Sequence, residues 1–157
     1  MCLGVAMAAS DVPTEMVGRC GLARRLHLRG GRREEYRFFY RGRRPRLPVI
    51  RDGQLFFPRW GNGRGQSRML PRTGWTWLET IRAGGWRRFG AIPVDVPCRY
   101  GFDGRGVWYV IRRGIRGLLV PDERGHAVAY LVCEPASHYY HVMTGATRMP
   151  VFITERI

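Results

Sequence analysis

Closely spaced turn signals divide this chain into short pieces and leave no room for a long helix. They occur at Gly30-Gly31, Arg41-Gly42, Asp52-Gly53, residues 61–65, Gly84-Gly85, residues 101–106 and Arg124-Gly125. Glycine steps favour turns because glycine adopts backbone conformations that other residues avoid. A chain of 157 residues has the length of one domain. We therefore expect a single domain, residues 1–157, built from short elements.

Most pieces between these turns are typical of β-strands, since they are rich in β-branched and aromatic residues. The predicted strands are residues 36–40, 47–51, 54–58, 107–112, 115–120, 127–133 and 149–154. Asp52-Gly53 predicts a hairpin turn between two of them. Helices are predicted from Thr73 or Thr76 through Arg82, over 135–143, and over 5–17 or 20–28. This pattern indicates an α+β fold, β-rich and barrel-like, of short strands with a few peripheral helices.

The charge of the chain is strongly basic. There are 27 basic residues, all arginine, against 12 acidic ones, which gives a net charge of +15. Guanidinium groups match phosphate oxygens, so a nucleic-acid partner is one interpretation. The other is a GC-rich coding sequence, which explains arginine replacing lysine but not the excess of base over acid.

Arginine is concentrated in residues 19–51, which carry twelve arginines against Glu34 and Glu35. Aromatic side chains are interleaved among them at residues 36 and 38–40. Arginine alternating with aromatic residues suits a single strand of nucleic acid, with phosphates on arginine and bases stacked on rings. The structural alternative is a strand whose Phe39 faces the core while its arginine neighbours face water.

Four cysteines and four histidines form no recognisable zinc pattern, and no GxxxxGK loop is present, so we predict neither a metal nor a cofactor. Cys98 and Cys133 lie in apolar runs and are expected to be buried thiols. No apolar stretch is long enough to span a bilayer, and residues 1–9 lack the features of a secretory signal. We therefore expect a soluble, cytoplasmic protein without a membrane partner.

Cys2 is a candidate nucleophile. If the initiator methionine is removed, this residue carries both a free α-amine and a thiol. Such a 1,2-aminothiol can attack an aldehyde through nitrogen and close a five-membered ring through sulfur, or act as an amino-terminal nucleophile in amide chemistry. Reference pKa values of about 8 and 8.5 leave a minority of each group nucleophilic at neutral pH.

The order of several motifs resembles the SOS response-associated peptidase (SRAP) family. After Met1-Cys2, these motifs are RPRLPVI at 44–50, FPRWG at 57–61, LET at 78–80, YLVCEPAS at 130–137 and RMPVFI at 148–153. The resemblance implies a β-rich α+β domain that binds single-stranded DNA and joins its processed amino-terminal cysteine to abasic sites as a thiazolidine. It also implies a peptidase activity that removes the protein's own Met1.

The resemblance also suggests site residues. The family's catalytic glutamate falls near Arg99 and its histidine falls at Ala146, so Asp103 and His141 are the candidate replacements beside Cys2 if the fold brings them there. The candidate DNA-binding residues are Arg37, Arg41, Arg59, Trp60 and Arg148.

Three hypotheses follow. The first is a compact relative, expected to act as a monomer, that crosslinks abasic single-stranded DNA through Cys2 in the DNA damage response. The second is a non-catalytic, arginine-rich nucleic-acid-binding module of the same fold. The third is a structural or partner-binding protein whose arginine content is compositional.

Overall fold

The computed structural model of the chain describes residues 1–153. Thirteen β-strands and three α-helices lie in this range, with short 3₁₀ turns at Ala9–Asp11, Ala23–Arg25 and Arg87–Phe89. The strands are β1 (Cys2–Ala8), β2 (Leu26–Arg29), β3 (Arg33–Phe39), β4 (Val49–Arg51), β5 (Gln54–Phe56), β6 (Arg59–Trp60), β7 (Trp75–Trp77), β8 (Ile92–Val96), β9 (Tyr100–Asp103), β10 (Trp108–Val110), β11 (Ile115–Pro121), β12 (Ala127–Pro135) and β13 (Arg148–Pro150). The helices are α1 (Thr14–Arg19), α2 (Leu78–Arg82) and α3 (His138–Thr144).

Strands account for 41% of the residues and helices for 18%, so the predicted strand-rich α+β class is confirmed. One sheet has five antiparallel strands in the order β10-β9-β1-β3-β2. The other follows the order β13-β12-β11-β8-β4-β5, with β6 and β7 added parallel to β12. The fold includes a curled, half-barrel sheet.

β12 is the centre of the second sheet and is buried on both faces. Alternate side chains of a strand point to opposite faces. Leu131 and Cys133 therefore join the main core, which fills the space beside β1, β3 and β11. Tyr130 and Val132 point the other way, into a second apolar cluster that α2 covers with Leu78 and Ile81.

The Asp52-Gly53 hairpin is confirmed. β4 and β5 pair antiparallel on either side of this step, and both residues have positive φ angles, 51° and 75°. Such angles define the tight turn whose twist matches the right-handed twist of the flanking strands. The last strand, predicted over residues 149–154, spans only Arg148–Pro150, and Thr154 lies outside the described residues.

The helices predicted over residues 5–17 and 20–28 are largely absent, and the helix predicted from Thr73 or Thr76 begins later, at Leu78. Residues 5–8 belong to β1 and only Thr14–Arg19 is helical, because β1 is held between β3 and β9. Residues 20–28 contain a 3₁₀ turn followed by β2.

α2 begins at Leu78 without a side-chain cap, and the Thr76 hydroxyl instead accepts a hydrogen bond from the indole nitrogen of Trp86. Tertiary pairing outweighs local helix propensity in each case.

The helix predicted over residues 135–143 is shorter than expected. β12 continues to Pro135, and α3 starts after Ser137, whose hydroxyl caps it by accepting a hydrogen bond from the Tyr140 amide. No helix among residues 1–153 has the length and apolar character needed to cross a membrane.

Candidate functional site

Cys2 begins β1 and lies opposite Asp103, the last residue of β9. The pairing of β1 with β9 shifts register between Cys2 and Gly4, which is a β-bulge. Bulges commonly redirect a side chain at the edge of a site. The Cys2 thiol is buried and donates a 3.2 Å hydrogen bond to the Gly4 carbonyl oxygen. The predicted acid and the predicted nucleophile are thus brought together.

Asp103 holds one carboxylate oxygen in a turn and leaves the other without a partner. Its Oδ1 accepts hydrogen bonds from the amides of Arg105 and Val107, at 2.8 and 3.1 Å. Its Oδ2 is buried and has no hydrogen-bond partner among the described residues. A buried polar atom without a partner is costly and is therefore uncommon in a folded protein. Asp103 Oδ2 therefore has an unmet hydrogen-bonding capacity inside the fold.

The amino terminus is partly buried in this cluster. Burial lowers the pKa of the Met1 α-amine, while the nearby Cys2 and Asp103 raise it and Arg148 lowers it further; the net pKa lies below its ordinary value. A lowered pKa increases the neutral, nucleophilic fraction of an amine at neutral pH.

Two tyrosines that the sequence analysis missed complete the surroundings of the thiol. The hydroxyls of Tyr109, from β10, and Tyr140, from α3, lie 3.0 Å apart, and both residues belong to the same core cluster as Cys2. Burial raises the pKa of Cys2, and hydrogen bonding to the thiol only partly offsets that effect. Burial also raises the pKa of Tyr109 well above its ordinary value. In this form the thiol is a protonated, shielded group.

Met1 and its neighbours close the site. We call the pocket around Cys2 the Cys2 pocket; it encloses no space for a water molecule. It is lined by Met1, Cys2, Trp75, Leu131, Cys133, Arg148, Met149 and Pro150. The Arg148 guanidinium lies 4.5 Å from the centre of the Trp77 ring, at the rim of this pocket. The predicted residue Arg148 is therefore part of the same site as Cys2.

His141 is not brought to Cys2. It is exposed on α3, and its Nδ1 lies 3.0 Å from the Ala146 carbonyl oxygen. Consecutive side chains on a helix diverge by about 100°. Because Tyr140 points inward to Tyr109, the next residue points away from the site. The role predicted for His141 beside Cys2 is therefore wrong.

A second feature is a groove lined by arginines, which we call the basic groove. It has a volume of about 730 Å³, and its lining includes Arg43, Arg44, Arg46, Arg59 and Arg64 together with Phe56, Phe57 and His126. No lining residue of this groove, all of which belong to the described range, is acidic. A smaller pocket of about 260 Å³ continues it past Arg41 and Tyr40. The lining of the basic groove therefore carries a concentration of positive charge.

A buried asparagine shapes the loop that carries Arg64. Asn62 donates hydrogen bonds to the carbonyl oxygens of Ser67 and Leu70, both at 2.9 Å, and accepts one from the Ser67 amide. Gly61 precedes it with a φ of 65°, and a Cβ there would lie 2.4 Å from the Thr73 carbonyl oxygen. The loop therefore requires glycine at this position, and its arginine is presented by a fixed backbone.

The predicted DNA-binding residues divide between different environments. Arg41 and Arg59 line the basic groove and its extension, although Arg59 also pairs with the buried Asp122 at 3.4 Å. Arg37 lies elsewhere, on the outer face of the five-stranded sheet, paired with Glu35.

Trp60 cannot stack on a base. Its ring is fully buried, and its indole nitrogen donates a 3.0 Å hydrogen bond to the Gly74 carbonyl oxygen. The prediction that it contacts DNA is therefore wrong, because a ring without an exposed face has no surface to offer.

Two aromatic residues, Tyr40 and Trp75, connect the basic groove to Cys2. Tyr40 lines the extension of the groove, and its ring centre lies 4.4 Å from that of Trp75. The Trp75 indole nitrogen donates a hydrogen bond to the Cys2 carbonyl oxygen at 3.0 Å, and the Tyr40 amide donates one to the Leu3 carbonyl oxygen. The end of the groove is thus one tryptophan away from the Cys2 backbone.

Residues 1–153 contain no group of three or more histidine, cysteine or acidic side chains that could bind a metal ion. Comparison of the chain with protein-family models, with curated proteins and with solved structures found no match.

Proposed function

We propose that this chain binds single-stranded DNA and, after removal of Met1, captures abasic sites covalently through Cys2, as the resemblance to the SRAP family implies. The proposal includes a fold of that family's type and a role in the DNA damage (SOS) response. The observation that carries it is the buried Asp103 carboxylate, which lies opposite Cys2 and keeps one oxygen unpartnered.

The proposed chemistry is a condensation of an aldehyde with an aminothiol. The Cys2 amine adds to the aldehyde carbon of a ring-opened abasic site, and loss of water leaves an imine. The thiol then adds across the C=N bond, so a C–S bond forms and the thiol proton passes to nitrogen. The product is a thiazolidine plus one water molecule, and no oxidant or reductant is consumed.

Asp103 is suited to the proton transfers of this sequence. Its unpartnered Oδ2 can accept a proton from the terminal ammonium and return it to the oxygen that leaves as water. The two amides that bind Oδ1 keep the carboxylate oriented while this happens. The same carboxylate is suited to assist removal of Met1, which would also open the pocket that Met1 now helps to line.

The basic groove supports DNA as the partner. Its arginines can bind consecutive phosphates, and its extension leads past Tyr40 toward the residue that holds the Cys2 carbonyl. Arg148 at the rim of the Cys2 pocket offers a further cation for a phosphate beside the abasic site. Electrostatic binding of this kind weakens steeply as salt is raised.

A non-catalytic nucleic-acid-binding module is the second candidate. The observation that favours it is the burial of the Cys2 thiol, which raises its pKa and keeps it protonated near neutral pH. The basic groove serves this function equally well and requires no chemistry at Cys2.

The test is a crosslinking assay with purified protein whose Met1 status has been determined by mass spectrometry. The protein is incubated with a single-stranded oligonucleotide containing one abasic site, and the products are separated on a denaturing gel. Cys2→Ala tests the nucleophile, and Cys20→Ala is the matched control because Cys20 is an exposed thiol elsewhere in the chain.

A covalent adduct in wild type and Cys20→Ala, but not in Cys2→Ala, is the expected result. Reversible, salt-sensitive binding without any adduct would overturn the chemistry and favour the binding module. Absence of binding by a folded protein at physiological salt would overturn both candidates and favour a structural protein of arginine-rich composition.

A further inference from the structure

The outer face of the five-stranded sheet carries a layer of aromatic rings that does not belong to the main core. Val5 of β1 and Phe38 of β3 point inward and are fully buried. Their strand neighbours, including Phe39, therefore point outward. The structural alternative in which Phe39 faces the core is therefore wrong, because Phe38 occupies the core-facing side of β3.

Small residues on the central strand make room for these rings. Gly4 of β1 pairs with Phe39 on one side and with Phe102 of β9 on the other. A Cβ at Gly4 would lie 2.7 Å from the Phe39 ring. The rings of Phe39, Phe102 and Trp108 pack edge to face or tilted, with centres 4.9 to 5.9 Å apart. All three rings remain partly exposed.

Two arginines lie over the same layer. The Arg29 guanidinium lies 3.8 Å from the centre of the Tyr100 ring and 4.8 Å from that of Trp108. The Arg37 guanidinium lies 4.9 Å from the centre of Trp108. Both are held by the buried carboxylate of Glu35, at 2.7 Å in each case. The planar groups are therefore fixed in place before any ligand arrives.

The charge of this surface favours a polyanion. Two arginines, Arg29 and Arg37, share the single negative charge of Glu35. A third arginine, Arg33 on β3, lies opposite Arg29 in the pairing of β2 with β3. Rings and guanidinium planes are the two surfaces on which unpaired bases stack, and neighbouring arginines contact the phosphates between them. A double helix hides the faces of its bases, so this arrangement fits a single strand.

We propose that the outer face of the five-stranded sheet is a second binding surface for single-stranded DNA, with bases stacked on the guanidinium groups of Arg29 and Arg37, which lie over Tyr100 and Trp108, and on the exposed parts of Phe102 and Trp108. This surface is separate from the basic groove, whose lining it does not share. The inference rests on the proposed binding of single-stranded DNA, but not on the chemistry of Cys2.

The first test is photocrosslinking of single-stranded DNA that carries 5-bromouracil, followed by digestion with trypsin and mass spectrometry. Cleavage after arginine releases residues 100–105 and 106–112, which contain Tyr100, Phe102 and Trp108. The basic groove instead contributes residues 52–59, which contain Phe56 and Phe57. Adducts on the first two peptides are the expected result.

The second test measures affinity by fluorescence anisotropy for Trp108→Leu, which keeps an apolar side chain beside Phe39 and Phe102 but removes the ring that lies under both guanidinium groups. Tyr139→Leu is the matched control, since Tyr139 is an exposed ring on α3. We expect Trp108→Leu to weaken binding at least about fivefold, the lower end for loss of one stacked base, and Tyr139→Leu to leave it unchanged. Circular dichroism confirms that each variant is folded.

The possible failures can be told apart. Binding and crosslinks confined to peptide 52–59, with unchanged affinity of folded Trp108→Leu, would overturn the second surface and leave the proposed function intact. Absence of any salt-sensitive binding by wild type would overturn both. Tighter binding of RNA of the same sequence would overturn DNA as the occupant of this face.

Discussion

The indole nitrogen of Trp75 donates a 3.0 Å hydrogen bond to the carbonyl oxygen of Cys2, and so joins β7 to the first residue of β1. This bond connects the two sheets at the amino terminus, since β7 pairs with β12 and β1 pairs with β3 and β9. Trp75 also contacts Tyr40 at the end of the basic groove. One side chain therefore fixes the candidate nucleophile and borders the candidate path to it.

Trp75→Phe is expected to loosen the amino terminus, because phenylalanine keeps the ring but removes the donor to Cys2. Loss of one buried hydrogen bond costs roughly 1 kcal/mol of unfolding free energy. Trp86→Phe is the matched control, since it removes the bond to Thr76 in the second cluster. Chemical denaturation measures both costs, and hydrogen exchange at residues 2–5 should increase only in Trp75→Phe. Equal protection in the two variants would contradict the role of Trp75.

Asp103→Asn is expected to slow formation of the proposed thiazolidine at least about tenfold, because the amide keeps the Oδ1 acceptor of the turn but cannot take up a proton. Asp122→Asn is a close control, since Asp122 holds an equivalent turn with the amides of Arg124 and His126. Rates are measured from denaturing gels over time with Met1-free protein. An unchanged rate in folded Asp103→Asn would remove this residue from the chemistry.

Thiol reactivity should report the burial of Cys2 in protein that retains Met1. Cys20 is exposed, whereas the other three cysteines are buried. Burial raises the pKa of Cys2, and it raises the pKa of Cys133 to about 11. We expect one fast-reacting thiol with an aromatic disulfide reagent at pH 8 and four after denaturation. The fast phase should vanish in Cys20→Ala, and a second fast thiol in the native protein would contradict the structure.

The basic groove should account for a defined part of the salt dependence of binding. Replacing Arg41 and Arg43 by glutamine removes two exposed cations that line the groove or its extension. The slope of log affinity against log salt should fall by about 1.4, at roughly 0.7 for each lost single-strand phosphate contact. Arg82→Gln with Arg112→Gln changes the net charge equally away from the groove and should leave the slope nearly unchanged. Equal slopes for both double variants would show that only net charge matters.

Stability should fall in acid through Glu35. Burial alone would raise the pKa of this carboxyl, but its hydrogen bonds to Arg29 and Arg37 outweigh burial and lower it. A lowered folded-state pKa stabilises the protein above the unfolded value of about 4.3, and this contribution is lost as pH falls through the lower folded-state pKa.

Thermal unfolding at pH 7, 5 and 3 checks the role of Glu35. Glu35→Gln should be about 2 kcal/mol less stable than wild type at pH 7, because the three hydrogen bonds from Arg29 and Arg37 are weakened. Its stability should also fall less than that of wild type between pH 5 and 3. The exposed neighbour Glu34 supplies the control, since Glu34→Gln should follow the wild-type profile. Identical pH profiles for wild type and Glu35→Gln would show that the ion pairs of Glu35 do not cause the loss of stability in acid.

Much of the local structure followed from the sequence. The turn signals predicted short strands, and Asp52-Gly53 predicted the hairpin between β4 and β5. The apolar runs around Cys98 and Cys133 predicted their burial, which is confirmed. These features depend on near neighbours in the chain, because glycine conformations and strand propensities act over a few residues.

The faces of the strands could not be predicted as well. The run from Tyr36 to Tyr40 has aromatic residues at both even and odd positions, so the alternation of apolar and polar residues does not predict which side chains face the core. A shift of one residue exchanges every side chain between the two faces of a strand. Only the packing of Phe38 into the core decided that Phe39 and Arg37 face outward.

The sequence by itself determined a strand-rich α+β chain with an arginine excess and a cysteine at position two. Tertiary structure decided which residues meet. Asp103 reaches Cys2 because β9 pairs with β1 across a bulge, and His141 does not because α3 turns Tyr140 inward. Trp60 cannot contact DNA because its side chain is fully buried in the core. Such contacts depend on strand register and burial between distant segments, which local propensity and composition do not encode.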